Sequence, residues 1–176
     1  MDLHEFEGQK MYFDDPVSEQ VQNLLDRASQ EYGEGEAEAP LLEALALEPN
    51  NMSVLVALYR FYYYQHRLED ALNISNDVMA KVGPEIGFPE NWQALSFNHL
   101  ANGVVESFTK VRFYLLALKG AAYLNLRLGR RDTAVAMLNK VVEFDSKDRL
   151  SARALLNVVG VAAAKADEAP GQPLVS

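Results

Sequence analysis

No cysteine occurs among the 176 residues, which removes disulfide scaffolds, thiolate metal sites and redox dithiols at once. There is no apolar run of about 20 residues, and residues 1–16 lack both a basic n-region and an apolar core. Neither a membrane-spanning helix nor a secretory leader is expected, so the reading is a soluble cytoplasmic protein. On the same reading, the sequons Asn51-Met52-Ser53 and Asn73-Ile74-Ser75 stay unmodified. The three histidines, His4, His66 and His99, lie far apart, and neither H-E-x-x-H nor G-x-S-x-G is present. Gly33-Glu34-Gly35 is flanked by acids that would repel a phosphate. The expectation is therefore no catalytic residue, no cofactor and no metal, with His66 ending a helix and His99 a surface or packed residue.

Positive charge is also scarce where the chain begins. Residues 1–50 hold 2 basic and 13 acidic side chains, whereas residues 110–153 hold 10 basic and 4 acidic ones. The formal total of −9 argues against a dedicated nucleic-acid binder, although the basic stretch 110–153 keeps a nucleic-acid-associated protein as an alternative. Opposite charges in one chain attract each other within about 8–10 Å in physiological salt. An acidic segment and a basic surface are both on offer.

What the sequence has in abundance is helix-forming material. Ala (22) and Leu (24) make up about a quarter of it, and no stretch alternates apolar and polar residues as a strand does. The fold class expected is all-α. An acidic, aromatic arm over 1–16 ends at Asp14-Asp15-Pro16. Val21, Leu24, Leu25 and Ala28 then mark a first helix, to about Gly33. Leu41, Leu42 and Leu45 mark a second, with Pro40 near its start and Pro49 at its end. Helices are expected over about 51–66 and 68–81, then a loop over 83–89 with two glycines and two prolines. A short helix over 91–101, broken at Asn102-Gly103, precedes a long one over 105–128 that Gly129 closes. Two more follow, to Phe144 and over about 148–166, before a polar tail at 167–176. Trp92, with Phe88, Leu95 and Phe97, is expected to cover adjoining helices.

The helix pairs repeat with a period of 34 residues. The clearest copy covers 115–148, with Ala121-Ala122, Leu128-Gly129, Ala134, Leu138 and Val141 at its packing positions. A second covers 52–85 through Leu55, Leu58, Tyr59, Tyr62, Ala71 and Val78, with Leu68-Glu69-Asp70-Ala71 at its turn. A weaker copy covers 18–51 through Val21, Leu24, Ala28, Ala37, Leu41, Ala44 and Pro49. The run Ala134-Val135-Ala136-Met137-Leu138-Asn139-Lys140-Val141-Val142-Glu143-Phe144-Asp145 resembles the second helix of a tetratricopeptide repeat (TPR). Ser146 and Gly83 stand where that family has Pro, and the linker 33–38 with Pro40 departs from its pattern. Residues 86–114 are extra, read as an inserted short helix plus an N-terminal extension of the next. The resemblance implies one domain over 17–166: antiparallel helix pairs in a right-handed superhelix, closed by a capping helix over 149–166.

TPR arrays bind extended peptides or helices on the face lined by the first helix of each pair. Carried over position by position, this groove holds Arg60, Tyr63 and Tyr64 in the second unit. Lys119, Tyr123 and Arg127 follow in the third, and Arg153 and Asn157 on the cap. The first unit supplies Gln22, Asp26 and Ser29. Gln22, Asp26 and Ala57 occupy the Lys and Asn positions of the carboxylate-clamp subclass, so that function is not expected. The resemblance implies a non-enzymatic interaction module that takes an acidic or aromatic segment in a basic groove. The arm over 1–16 is a candidate competitor for that groove, in its own molecule or a neighbour. A small bacterial TPR chaperone of the type III secretion kind is an alternative within the class. Homodimerisation through the insertion or the cap is a structural one.

Overall fold

Side-chain caps set where three of the helices begin. Ser18 accepts the backbone N–H of Val21 (3.3 Å) and opens α1 (Glu19–Glu31). Asn51 accepts those of Ser53 (2.9 Å) and Val54 (3.3 Å) and opens α3 (Met52–Tyr64). Ser96 and His99 form a reciprocal capping box at the start of α5 (Phe97–Arg127). Each such cap satisfies amide donors that a helix leaves orphaned and is worth ~0.5–2 kcal/mol. The remaining helices are α2 (Glu38–Leu47), α4 (Leu68–Glu85), α6 (Arg131–Phe144) and α7 (Ala152–Asp167). This computed structural model describes residues 16–32 and 36–167, with 161–167 through their backbone alone. Among the described residues there is no strand, so the fold is all-α. The expected arm, apart from Pro16, the first part of the acidic linker and the tail beyond residue 167 lie outside the described residues.

Each helix packs chiefly on the one before it and the one after it. The three-residue turns at 65–67 and 128–130 use the same device, a left-handed residue: His66 (φ 57°) in one and Gly129 (φ 77°) in the other. Such tight turns make α3 and α4, and α5 and α6, antiparallel neighbours. The array thus has two ends. One carries the start of α1 and the turns at 48–51, 86–96 and 145–151. It is tied together by Ser18 N–H to Glu48 (3.1 Å), the Lys81 ammonium to the Pro49 carbonyl, Lys110 to Glu85 (2.6 Å) and Lys140 to the Leu95 carbonyl (3.1 Å). The opposite end carries the end of α1, the start of α2 and the turns at 65–67 and 128–130. There Glu38 accepts from the Tyr62 hydroxyl (3.1 Å) and pairs with Arg67 (2.6 Å), and Arg130 bonds Glu69 (3.2 Å).

The core runs the length of the array, from Val21 and Leu41 through Leu55, Leu58 and Phe61 to Leu118, Leu124, Leu138 and Val141. Three expectations change. Residues 83–85 are not loop: α4 continues through Gly83 and Pro84 to Glu85. Gly83 is buried there because the Tyr114 ring lies against it, where an added Cβ would come within 3.3 Å. Nor does Asn102-Gly103 break a helix. Gly103 lies inside α5 because the Phe88 ring needs its space; a Cβ would sit 2.7 Å from Phe88 Cε1. The break falls instead at Ser107 (φ −162°, ψ 104°), whose hydroxyl accepts the Lys110 N–H (3.2 Å) and caps the second half of α5. Before it, the expected short helix over 91–101 is a 3₁₀ turn, Trp92–Ala94, followed directly by the start of α5. Phe88 and Leu95 are buried and Trp92 is half-buried, but Phe97 is 61% exposed.

Candidate functional site

The C-terminal ends of α1, α3 and α5 meet through aromatic rings. Tyr32, the residue that closes α1, meets Tyr64 (6.4 Å between centroids) and, edge-on, Phe61 (5.8 Å). Tyr64 meets Tyr63 (5.5 Å), Tyr63 stacks on Tyr59 (6.2 Å, 10° between planes), and Tyr63 reaches Tyr123 of α5 (6.2 Å). Arg127, one helical turn beyond Tyr123, donates to its hydroxyl (3.3 Å) and lies over its ring. Spacings of this kind are those of favourable aromatic pairs, worth about 0.5–1.5 kcal/mol each beyond area burial. The result is a tyrosine ribbon across three helices that are not consecutive in sequence, ending in a guanidinium.

Beside the ribbon, between α1, α2 and α3, is a cleft of about 430 Å³. Leu25, Ala28, Leu41 and Ala57 line it with apolar surface, and Ser29, Ser53, Tyr32, Arg60 and Tyr64 bring polar groups to it. The Tyr32 hydroxyl is buried without a hydrogen-bond partner among the described residues. Burial pushes its pKa up, and the nearby Arg60 cation works against that shift. The cleft therefore combines an apolar wall, a positive charge and hydroxyl donors, which suits a carboxylate carried on an apolar stem. Its position is secured by the Glu38, Tyr62 and Arg67 cluster, where the Arg67 guanidinium also lies 4.5 Å from the centre of the Tyr62 ring.

Of the groove residues expected from the sequence, Arg60, Tyr63, Tyr64, Tyr123 and Arg127 come together on or beside this ribbon. Lys119 does not offer an open charge: it is only 5% exposed. Residues 113–119 of α5 are buried without interruption, because α4 and α6 pack along this helix and α3 reaches it through Tyr63, so a lysine there has no open face. Arg153 is exposed and turns to the 145–151 turn, its guanidinium reaching the Ser146 carbonyl (3.5 Å). Asn157 is exposed further along α7. In α1, Ser29 lines the cleft, while Gln22 and Asp26 bond each other on the exposed surface (2.8 Å). Sequence reasoning passed over Tyr32 and Ser53. Tyr32 follows the buried Ala28 by one helical turn, and that spacing was the available signal.

His99 is occupied by its capping box, and His66 sits in the left-handed turn after α3. No group of three or more His, Asp or Glu side chains among the described residues is placed to hold a metal ion, and no described helix is long and apolar enough to cross a membrane.

No family model matches the chain, and no solved structure matches it. It is 50% identical over 159 residues, 90% of its own length and 89% of the relative's, to a protein of Azotobacter chroococcum mcd 1 described as an uncharacterized 19.8 kDa protein in the nifW 5′ region. At that identity and coverage, the chain belongs to the same family as this Azotobacter protein.

Proposed function

We propose that the chain is a non-enzymatic interaction module built of TPR-like helix pairs. On this reading, α1, α3 and α5 are the first helices of successive pairs, and the face they share takes an acidic or aromatic segment of another polypeptide. The observation that carries it is the tyrosine ribbon from Tyr32 to Tyr123, flanked by Arg60 and Arg127 and adjoining a cleft with a positive charge and hydroxyl donors. Tyr and Arg are the residues most often responsible for binding energy at interfaces, because they bring large area at little entropic cost. An acidic side chain seated near Arg60, Ser29 and Ser53, with its backbone across the tyrosines, would use all of these groups.

A polyanion is less well served. Lys110, Arg130 and Lys140 are paired with Glu85, Glu69 and Glu143, and Lys119 is buried, so the basic stretch 110–153 does not form one open stripe.

The Azotobacter relative is described by a place in the nifW 5′ region, so the nifW product is the first polypeptide to offer. Calorimetric titration should show binding that Arg60→Ala and Tyr64→Ala each weaken by more than about tenfold, or ~1.4 kcal/mol. In cells, a photo-crosslinking residue at Ser29 should capture a partner that the same residue at Asn73, exposed on α4, does not. Capture from both positions, or binding indifferent to the Arg60 and Tyr64 variants, would overturn the reading.

A further inference from the structure

A second cleft, of about 370 Å³, lies at the other end of the array and has no part in the ribbon. Its floor is built from both sides of the break in α5, Leu100 and Val104 before Ser107 and Phe108 and Val111 after it. Phe144 and the 145–150 turn close the opposite wall. Phe108 is 58% exposed and Val104 41% exposed, so the floor presents apolar side chains to water. Single exposed apolar residues are ordinary; a contiguous row inside a concave surface calls for an occupant.

The rim specifies the charge of that occupant. Arg112, Lys147 and Arg149 stand around the opening. Neither Lys147 nor Arg149 forms an ion pair among the described residues. The acidic lining residue, Asp145, is turned to the Leu150 N–H (2.6 Å), and the neighbouring Glu143 is paired with Lys140 (3.1 Å). An apolar segment carrying carboxylates fits this surface.

We propose that the occupant is the chain's own residues 1–15. Residues 8–15 serve as the tether, and the segment before them holds Leu3 and Phe6 among Asp2, Glu5 and Glu7, which matches the apolar floor and the basic rim together. Their attachment point is at the correct end. Ser18 is bonded to Glu48 in the 48–51 turn, which shares its end of the array with the 145–151 turn. Neighbouring helices stand about 8–10 Å apart, so the path past α3 to the cleft is roughly 30 Å. Fifteen extended residues reach about 50 Å. The C-terminal segment is a poorer match: residues 168–176 contain no aromatic residue, and α7 leads from the 145–151 turn toward the other end. This seat is distinct from the Arg60 cleft, and the proposal stands whether or not that cleft binds a partner.

The absence of native cysteine makes the test direct. A nitroxide attached to Gln9→Cys in the full-length chain should broaden the backbone amide signals of residues 104–108 and 145–150 and leave those of 57–64 sharp. Lys147→Glu combined with Arg149→Glu, both on exposed side chains, should reduce that broadening several-fold at an unchanged circular dichroism spectrum. Val104→Asp should abolish it. Broadening at 57–64 instead, no localised broadening, or persistence through the charge reversal would overturn the proposal. A mixed sample of nitroxide-labelled unenriched protein and unlabelled nitrogen-15 protein separates the remaining case. Broadening there would place the arm on a second copy and overturn the intrachain seat.

Discussion

The two clefts differ in how the chain makes them. The Arg60 cleft lies where α1, α2 and α3 meet, and its walls follow from the regular succession of helices. Its polar groups come from helix surfaces that any such array would leave between neighbours. The Val104 cleft lies where the chain leaves that regularity: α5 is broken at Ser107, and its first half packs through Gly103 on Phe88 and Val111. One cleft is polar-mouthed and ringed by tyrosine, while the other has an apolar floor and a rim of three basic side chains. Regular packing sets the positions of polar groups in the first, and a local interruption exposes apolar ones in the second.

The sharpest way to break that contrast is to remove its prop. Phe88→Ala takes away a ring that is 5% exposed and set edge-on to Tyr114 at 4.9 Å. It should cost ~3–5 kcal/mol in urea unfolding and free residues 97–106, while amide signals around Arg60 stay where they are. Gly103→Val asks the converse question by forcing atoms into the same contact. Overpacking there should cost ~1–3 kcal/mol and shift the Val104 cleft alone. If either change perturbs both clefts equally, they are not separate structures.

Next in size is Tyr62→Phe, at the end of the array beside the Arg60 cleft. Loss of the hydroxyl bond to Glu38 should cost ~0.5–1.5 kcal/mol near neutral pH. Burial, then the bond to the Glu38 carboxylate, pushes the Tyr62 phenol up to about 12 from an ordinary value near 10. A raised phenol pKa stabilises the fold below the unfolded value and is lost as pH climbs from about 10 to 12. The wild-type protein should therefore lose stability across that window. Tyr62→Phe should flatten the loss in part, since burial raises Tyr114 to about 12 as well. The smallest expected effect on folding is that of Arg60→Ala, within about 0.5 kcal/mol by thermal melting. Coupled with the loss of partner binding proposed above, it would separate recognition from stability at the first cleft.

These contrasts were unevenly legible in the sequence. Apolar spacing located every helix but the first half of α5, since Val21, Leu24 and Ala28, or Leu55, Leu58 and Tyr62, can share a buried face only in a helix. Glycine was the misleading letter. At 83 and 103 it permits close approach by an aromatic ring rather than ending a helix, and the ring partners, Tyr114 and Phe88, are distant or unpredictable neighbours in the sequence. The true break at Ser107 carries neither Gly nor Pro. The tyrosines of the ribbon were legible through Tyr63, Tyr64 and Tyr123, whose positions follow from helix phase. Lys119 shares that phase, yet its burial depends on how closely three other helices approach, and phase does not record that distance.

The break at Ser107 has one further consequence, for the history of the family. With its own caps at Ser96 and Ser107, α5 is two helices laid end to end, each with a separately satisfied start. A segment joined in that way can be gained, lengthened or lost without rewinding the helix that follows it, so 97–106 is where relatives should differ most in length while the turn at Gly129 stays in register.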